Sequence, residues 1–188
     1  MLTNIYEHPL LSADEVKSIL NAHEKVHYAK GDYLIKEGQI ANEYLILECG
    51  VMRSYVHDYN GEAISTNFFT EDEIVIEVSS LFQRIPTSEN IEAITDCVAW
   101  KLDFDTFQEL FHTIPGFSEW GRAWMANSLF EFKQRSVSII TEDATTRYLK
   151  LIKEKPTVIK HAPLKYIATY LGITATSLSR IRKEAIKL

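Results

Sequence analysis

The sequence has few of the residues that mark several common protein classes. Its 188 residues include two cysteines, Cys49 and Cys97, too few for a disulfide framework or a four-thiolate iron–sulfur cluster. Seven glycines and five prolines are far below the content of low-complexity chains, so nearly all of the chain is expected to fold. Apolar runs such as residues 44–47 are much shorter than the roughly 20 residues of a membrane span. The first residues lack the basic and apolar segments of a secretory signal, so we expect a cytoplasmic protein.

Charge is divided unevenly along the chain. The net charge is −6, yet residues 147–188 contain ten basic and two acidic residues, a net charge of +8 that leaves −14 on residues 1–146. This asymmetry indicates a polyanion partner at the basic end and argues against one at the acidic end. Two solvated, lysine-rich helices would explain the charge equally well, so charge alone does not decide.

Short segments of alternating hydrophobicity predict strands in the first half of the chain. Ser12 and Glu15 have the spacing of a capping box and predict a first helix before the strands begin. Glycines mark the turns that separate the strand segments. The expected strands are 26–28, 33–35, 44–47, 51–56, 64–69, 74–78 and 91–102. Many short strands with turns roughly every 8–12 residues predict an antiparallel sandwich or barrel.

The second half is expected to be helical. Asp105 is the expected N-cap of a short helix that stops before Pro115. The longest helical pattern, 116–140, is apolar on more than one side and must be covered by its own chain or by a second subunit. We favour a dimer, because a β-roll covers only one flank of such a helix. The candidate dimer residues are Phe117, Trp120, Trp124 and Phe132. A further helix, 144–155, is expected to end at Pro156.

The basic tail predicts two helices joined by a tight turn. Pro163 suits the first position of one helix, and Gly172 suits the left-handed residue that ends it. Thr174 is a good N-cap for the next helix, in which Leu178 and Ile181 give a buried side. Helix, glycine turn and second helix at this spacing form a helix-turn-helix unit, although ordinary helical hairpins share the pattern.

Polar residues on the second helix could contact DNA in the major groove. The candidate contacts are Thr174, Thr176, Ser177, Ser179, Arg180 and Lys183. Arg180 is the best candidate for a base-edge contact, with a contact to phosphate alone equally open. Because DNA attracts Lys and Arg through phosphate neutralisation, the +8 charge favours DNA binding over a purely structural hairpin.

At these residues the chain resembles the Crp/Fnr family of bacterial transcription regulators, over about residues 20–186. Three motifs occur in the family's order: the glycine-punctuated segment 30–50, Ala93-Ile94-Thr95-Asp96-Cys97, and the segment 167–181. The resemblance implies an α+β chain with an antiparallel, cyclic-nucleotide-binding-like jelly roll (1–115), a long dimerisation helix (116–140) and a helix-turn-helix domain (141–188). It also implies duplex DNA and a second copy of the chain as partners, with RNA polymerase as a further candidate and no membrane.

The sequence departs from the family at the ligand-binding cassette. In cyclic-nucleotide-binding members a Gly-Glu pair and an arginine ten residues later hold the ligand. Ile76-Glu77 and Thr87 stand at those places, where Ile obstructs close backbone approach and Thr has no charge for the phosphate. Arg84 would need a shifted loop to replace the arginine. We therefore expect no binding of cyclic AMP in the usual way and predict no cofactor, and the sequence does not identify another effector.

No catalytic or metal-binding pattern stands out. The sequence has no P-loop, no metal-ligand spacing and no nucleophile elbow. His23 and His27 are expected at the surface, because a change from helix to strand between them would point them apart. The sequence therefore predicts a regulator and not an enzyme. The main alternative is a ligand-binding β-roll protein whose carboxyl-terminal helices no longer read DNA.

Overall fold

The computed structural model describes residues 5–185, which form a β-roll followed by helices. The strands are β1 (Glu24–Tyr28), β2 (Tyr33–Ile35), β3 (Glu43–Cys49), β4 (Met52–His57), β5 (Ala63–Phe69), β6 (Ile74–Val75), β7 (Asn90–Ala93) and β8 (Cys97–Asp103). The helices are α1 (Ala13–Asn21), α2 (Val78–Gln83), α3 (Phe104–Thr113), α4 (Pro115–Thr141), α5 (Ala144–Glu154), α6 (Pro156–His161), α7 (Leu164–Tyr170) and α8 (Ala175–Ala185). Among these helices, none combines the length and the hydrophobicity that crossing a bilayer requires.

The strands form two four-stranded antiparallel sheets with one hydrophobic cluster between them. The strand orders are β1-β8-β3-β6 and β2-β7-β4-β5. Leu45, Met52, Ile91 and Leu102 are fully buried in this cluster. The expected antiparallel roll is therefore confirmed. The outer face of the β2-β7-β4-β5 sheet packs against the carboxyl-terminal helices.

Side chains and a proline fix where the helices begin. Ser12 and Glu15 make the expected capping box, with the Ser12 amide donating to the Glu15 carboxylate at 2.8 Å. Asp103 caps α3, its carboxylate accepting from the Thr106 amide at 3.0 Å. The predicted cap at Asp105 is thus wrong by two residues, because the helix begins directly where β8 ends. Pro115 lies in the first turn of α4, where a backbone donor is not needed.

Two strand predictions were too long, and two short helices were missed. Strand β6 ends at Val75, and the Glu77 carboxylate then accepts from the Ser80 amide to cap α2. The segment 91–102 is divided into β7 and β8, because the chain crosses there from one sheet to the other. Pro156 ends α5 as expected, but it also opens α6.

A buried polar cluster in the roll involves His23. The Tyr6 hydroxyl lies 2.8 Å from His23 Nε2 and 2.7 Å from the Tyr44 hydroxyl. His23 Nδ1 lies 2.8 Å from the Ile19 carbonyl oxygen, so Nδ1 donates and Nε2 accepts from Tyr6. Burial lowers the pKa of His23 and favours this neutral ring. The surface prediction is correct for His27, which is exposed, and wrong for His23, which packs into the core behind α1.

Helix α4 is buried at its beginning and exposed over its second half. Phe117 and Trp120 are 0% and 7% exposed in the roll's own core, and Trp124 packs half-buried against the same cluster. The assignment of Phe117 and Trp120 to a dimer surface is therefore wrong, because the first turns of α4 complete the roll. Phe132 is 68% exposed and remains a candidate. The exposed apolar residues of this second half are Met125, Leu129, Phe130, Phe132, Val137, Ile139 and Ile140.

The carboxyl-terminal helices share a hydrophobic core with the roll. Phe68 of β5, with Val51 just before β4 and Ile94 just after β7, belongs to the same buried cluster as Ile167 of α7 and Leu178 of α8. This shared cluster means that the position of α7 and α8 depends directly on the roll.

Candidate nucleic-acid interface and sensor cavity

A tight turn sets the relative position of α7 and α8. Gly172 has a φ of +69°, the left-handed conformation that favours glycine. The Thr174 hydroxyl accepts from the Ser177 amide at 3.1 Å and caps α8. Leu178 is fully buried and Ile181 is 9% exposed, so α8 buries one side against its own chain.

The opposite side of α8 presents polar groups to solvent. Thr176, Arg180 and Lys183 are exposed and follow one another at intervals of four and three residues, so they share one face. We call this set the open face of α8. Two other predicted DNA contacts serve the helix start, because the Thr174 and Ser177 hydroxyls lie 3.0 Å apart and partner each other. Ser179 is half-buried beside the open face.

Four of the ten basic residues in the tail are bound to the chain itself. Lys155 Nζ lies 2.7 Å from the Glu73 carboxylate and Lys165 Nζ lies 2.9 Å from the Glu62 carboxylate, so both join the tail to the acidic roll. Lys150 pairs with Glu142. Arg147 donates to the carbonyl oxygens of Glu142 and Leu171. The net charge of +8 therefore overstates the number of cations that are available to bind a polyanion.

Five other basic residues are exposed without an ion-pair partner among residues 5–185. They are Lys153, Lys160, Arg180, Arg182 and Lys183. Three of the five lie on α8, so open positive charge is concentrated on the helix with the open face. Such a surface can neutralise phosphates.

A buried arginine joins the roll to α7. The guanidinium of Arg53, on β4, lies 2.6 Å from the Glu92 carboxylate, with side chains only 3% and 12% exposed. The same guanidinium stacks between two rings, 4.3 Å from the centre of Tyr55 and 3.3 Å from the centre of Tyr166 on α7. A hydrogen bond of 3.2 Å between the Thr169 and Ser65 hydroxyls lies beside it. These contacts fix α7 on the sheet.

The structure shows what replaces the expected phosphate-binding groups of the cassette. Ile76 packs half-buried against the roll core, and Glu77 caps α2. Thr87 is 6% exposed, and its backbone pairs with the loop at Gly38 and Gln39 through two hydrogen bonds of 2.8 Å. All three residues therefore have structural roles within the cassette.

Carboxylates, not free cations, surround this site. Glu77 lines a groove of about 500 Å³ formed with residues 34–35 and 39–43. Burial and the nearby charge of Glu77 raise the pKa of Glu89, a half-buried carboxyl beside the Thr66 hydroxyl. Arg84 donates to the Ala41 carbonyl and to the Asn42 side chain at 2.6 Å, so its guanidinium is occupied. An anionic ligand would meet two acids here, and the two nearby arginines, Arg84 and Arg135, already donate to carbonyl oxygens of the chain.

Sequence reasoning missed the residues that join the two halves of the molecule. Arg53 lies in a strand whose neighbours are buried, and a charged residue in such a strand requires a buried partner. That signal was available in the sequence. No sequence signal identified its partners Glu92 and Tyr166, which are 39 and more than 100 residues away.

Comparison with known proteins agrees with the structure of the roll. Residues 25–113 match the family model described as the cyclic nucleotide-binding domain. The cGMP-dependent protein kinase of Plasmodium berghei (strain Anka) is 21% identical over 187 residues, which cover 98% of this chain and 21% of the kinase. The chain spans between about a fifth and a quarter of the length of the curated relatives that it matches.

Solved structures extend the similarity to the helices. FixK2 from Bradyrhizobium japonicum superposes with a TM-score of 0.76 at 17% identity, covering 88% of this chain and 85% of FixK2. A protein from Eubacterium rectale described as a transcriptional regulator of the crp/fnr family gives 0.72 at 17% identity, covering 97% and 88%. These similarities establish the fold: a cyclic nucleotide-binding jelly roll followed by helices, as in Crp/Fnr structures.

Proposed function

We propose that this chain is a homodimeric, DNA-binding transcription regulator of the Crp/Fnr type, with residues 141–188 as its helix-turn-helix domain. The observation that carries the proposal is the open face of α8, where Thr176, Arg180 and Lys183 face solvent while Leu178 is buried on the opposite side. A helix held in this way can enter a major groove without exposing its apolar side. The exposed cations on α8 support the same role.

Each side chain of the open face has a distinct role in this proposal. Arg180 reads a base edge, with guanine as the expected partner of its two parallel donors. Lys183 and Thr176 hold phosphates and fix the register of the helix. In the dimer two copies of α8 face successive turns of the duplex, so the operator is roughly palindromic with half-sites about 34 Å apart.

We further propose that cyclic AMP does not bind the roll in the usual way. Glu77 and Glu89 repel the phosphate, Thr87 is paired with a neighbouring loop, and Arg84 is occupied. Any effector of this protein would act by binding one orientation of the DNA-reading helices more tightly than another.

Arg180→Ala should weaken binding to the protein's own operator by about 1–3 kcal/mol, or roughly 5- to 150-fold. The operator is first selected from a random duplex pool, and affinities are then measured by fluorescence anisotropy on the selected and on a scrambled duplex. Binding to the scrambled duplex should change little, because it lacks the base that Arg180 reads. Lys183→Ala should weaken both duplexes alike, because a phosphate contact carries no sequence information.

The matched control is Lys17→Ala, which removes an exposed lysine from α1 of the roll and should leave both affinities unchanged. Equal losses on the two duplexes for Arg180→Ala would reduce Arg180 to a phosphate contact. Failure of the wild-type protein to bind any duplex at low salt would reject the proposed function and favour a ligand-binding roll.

Titration with cyclic AMP should produce no saturable heat up to about 1 mM nucleotide, a range that detects any affinity stronger than roughly 4 kcal/mol. The physical reason is the pair of carboxylates at the cassette and the lack of a free arginine there. Isothermal titration calorimetry of the full chain makes the measurement, with selected operator DNA as the positive control for folded protein. A dissociation constant in the micromolar range would show that the cassette accepts the nucleotide.

A further inference from the structure

The segment of residues 5–11, which precedes α1, is packed onto the roll and the beginning of α4. Tyr6 is 0% exposed and belongs to the core cluster of the roll. The centre of its ring lies 5.7 Å from that of Phe117 and 4.7 Å from that of Trp120. Trp120 Nε1 donates to the Ile5 carbonyl at 2.7 Å. We call residues 5–11 the amino-terminal latch.

A glycine allows the latch to pass close to α4. A Cβ atom at Gly116 would collide with the Leu10 carbonyl oxygen and would come within 3.0 Å of Leu11 Cδ2. A side chain at this position would therefore require the latch to move. The latch is thus attached to α4 at two places, around Ile5 and Tyr6 and again at Leu10 and Leu11.

The first attachment contains a chain of hydrogen bonds with a single direction. His23 Nδ1 donates to the Ile19 carbonyl at 2.8 Å, so in the neutral ring Nε2 is an acceptor. The Tyr6 hydroxyl therefore donates to Nε2 at 2.8 Å and accepts from the Tyr44 hydroxyl at 2.7 Å. Within residues 5–185, the Tyr44 hydroxyl has no hydrogen-bond partner other than Tyr6.

A proton on Nε2 would reverse this chain. Nε2 would then donate to Tyr6, Tyr6 would donate to Tyr44, and the buried proton of the Tyr44 hydroxyl would have no acceptor.

The described groups that face His23 provide no negative charge to balance a proton. Tyr6 from the latch and Tyr44 from β3 are uncharged, because burial raises the pKa of both hydroxyls. Helix α1 contributes only a backbone carbonyl. Glu24, the residue after His23, is exposed and pairs with Lys101 at 2.9 Å.

We propose that the amino-terminal latch is an acid-sensitive switch, in which protonation of His23 releases Tyr6 from the roll and the neutral ring keeps it in place. A charged ring would lose its hydration in this cluster, whereas in the released state water reaches both the ring and the Tyr6 hydroxyl. The switch lies in the roll and the first turns of α4, and it does not depend on DNA binding.

The direction of the pH dependence follows from the buried ring. Burial lowers the pKa of His23 while the latch is closed, so the closed state binds a proton less readily than the released state. Closure of the latch is therefore fully stabilised above the ordinary histidine pKa of about 6.5, and this stabilisation is lost as the pH falls below that value.

Nuclear magnetic resonance of the full chain measures release through the indole proton of Trp120, which the Ile5 carbonyl accepts. Its exchange rate is divided by that of an unstructured tryptophan peptide at the same pH. The normalised rate should rise at least about threefold when the pH falls from about 7.5 to about 5.5. His23→Gln keeps an acceptor for Tyr6 but does not titrate, so its normalised rate should be equal at the two pH values. His27→Gln removes an exposed histidine from β1 and is the matched control, which should respond as the wild type does.

Two results would overturn the switch. The first is an equal response to acid in His23→Gln and in the wild type. The second comes from the wild-type protein alone and decides the question even if His23→Gln does not fold: the ring resonances of His23 and Tyr6 should shift over the same pH range. A His23 ring that gains its proton while Tyr6 and the Trp120 indole remain protected would show that protonation does not release the latch.

Discussion

Replacing both Leu129 and Phe132 by glutamate should turn a dimer into a monomer and lower affinity for a two-half-site operator by about 100-fold or more. These side chains are 64% and 68% exposed in the single chain. Met125, Leu129, Phe132, Ser136 and Ile139 follow the alternating four- and three-residue spacing of a coiled-coil seam, with the serine as its one polar position. At such an interface each glutamate carboxylate would lose its hydration, and this desolvation cost prevents association. Sedimentation velocity at micromolar protein measures the change in mass.

Loss of the dimer should leave binding to a single half-site unchanged, because the open face of α8 is untouched. The control variant carries Asn127→Glu and Gln134→Glu, which add the same charge at exposed positions on another side of α4. It should remain dimeric. If the Leu129 and Phe132 variant also remained dimeric, the second half of α4 would not be the interface.

Arg53→Met should destabilise the whole chain by about 3–5 kcal/mol, the usual cost of leaving one partner of a buried ion pair without the other. Glu92 would then be 12% exposed with no cation beside it, and Tyr166 would lose the guanidinium on which it stacks. Urea denaturation at fixed protein concentration measures the loss, because the free energy of unfolding of a dimer depends on concentration.

The double variant Arg53→Met with Glu92→Met should recover most of that loss, because both charges are removed together. Lys25→Met, at the exposed end of the Lys25–Glu48 pair, is the matched control and should cost less than about 1 kcal/mol. A similarly small cost for Arg53→Met would show that the buried pair does not stabilise the contact between the roll and α7.

Local signals in the sequence predicted most of the secondary structure. Pro115 and the absence of proline after it gave the long helix to within one residue at each end, and Gly172 gave the turn before α8. The failures occurred where local preference and the fold disagree. Residues 74–78 are rich in β-branched side chains, yet the strand stops at Val75 because Glu77 caps a helix.

Long-range pairing could not be derived from the sequence. The tail's charge indicated a polyanion partner, but Lys155 and Lys165 bind carboxylates of the roll instead. Phe117 and Trp120 lie on the same apolar stripe of the helix as Phe132. Nothing in the local sequence shows that the first two are buried in the roll while Phe132 is exposed beyond it. The β-bulge at Thr66 of β5 could not be predicted either, because a bulge is defined by the register between two strands and not by the sequence of one of them.

The salt dependence of duplex binding tests the central claim most directly. Within the tail, over residues 147–185, five basic residues are exposed without an ion-pair partner, and three of them lie on α8. Each phosphate that a dimer neutralises contributes about −0.9 to the slope of log affinity against log salt. We predict a slope between about −4 and −9 for the wild-type dimer on its selected operator. A slope shallower than about −2, with weak binding throughout, would show that α8 does not lie against a nucleic-acid backbone.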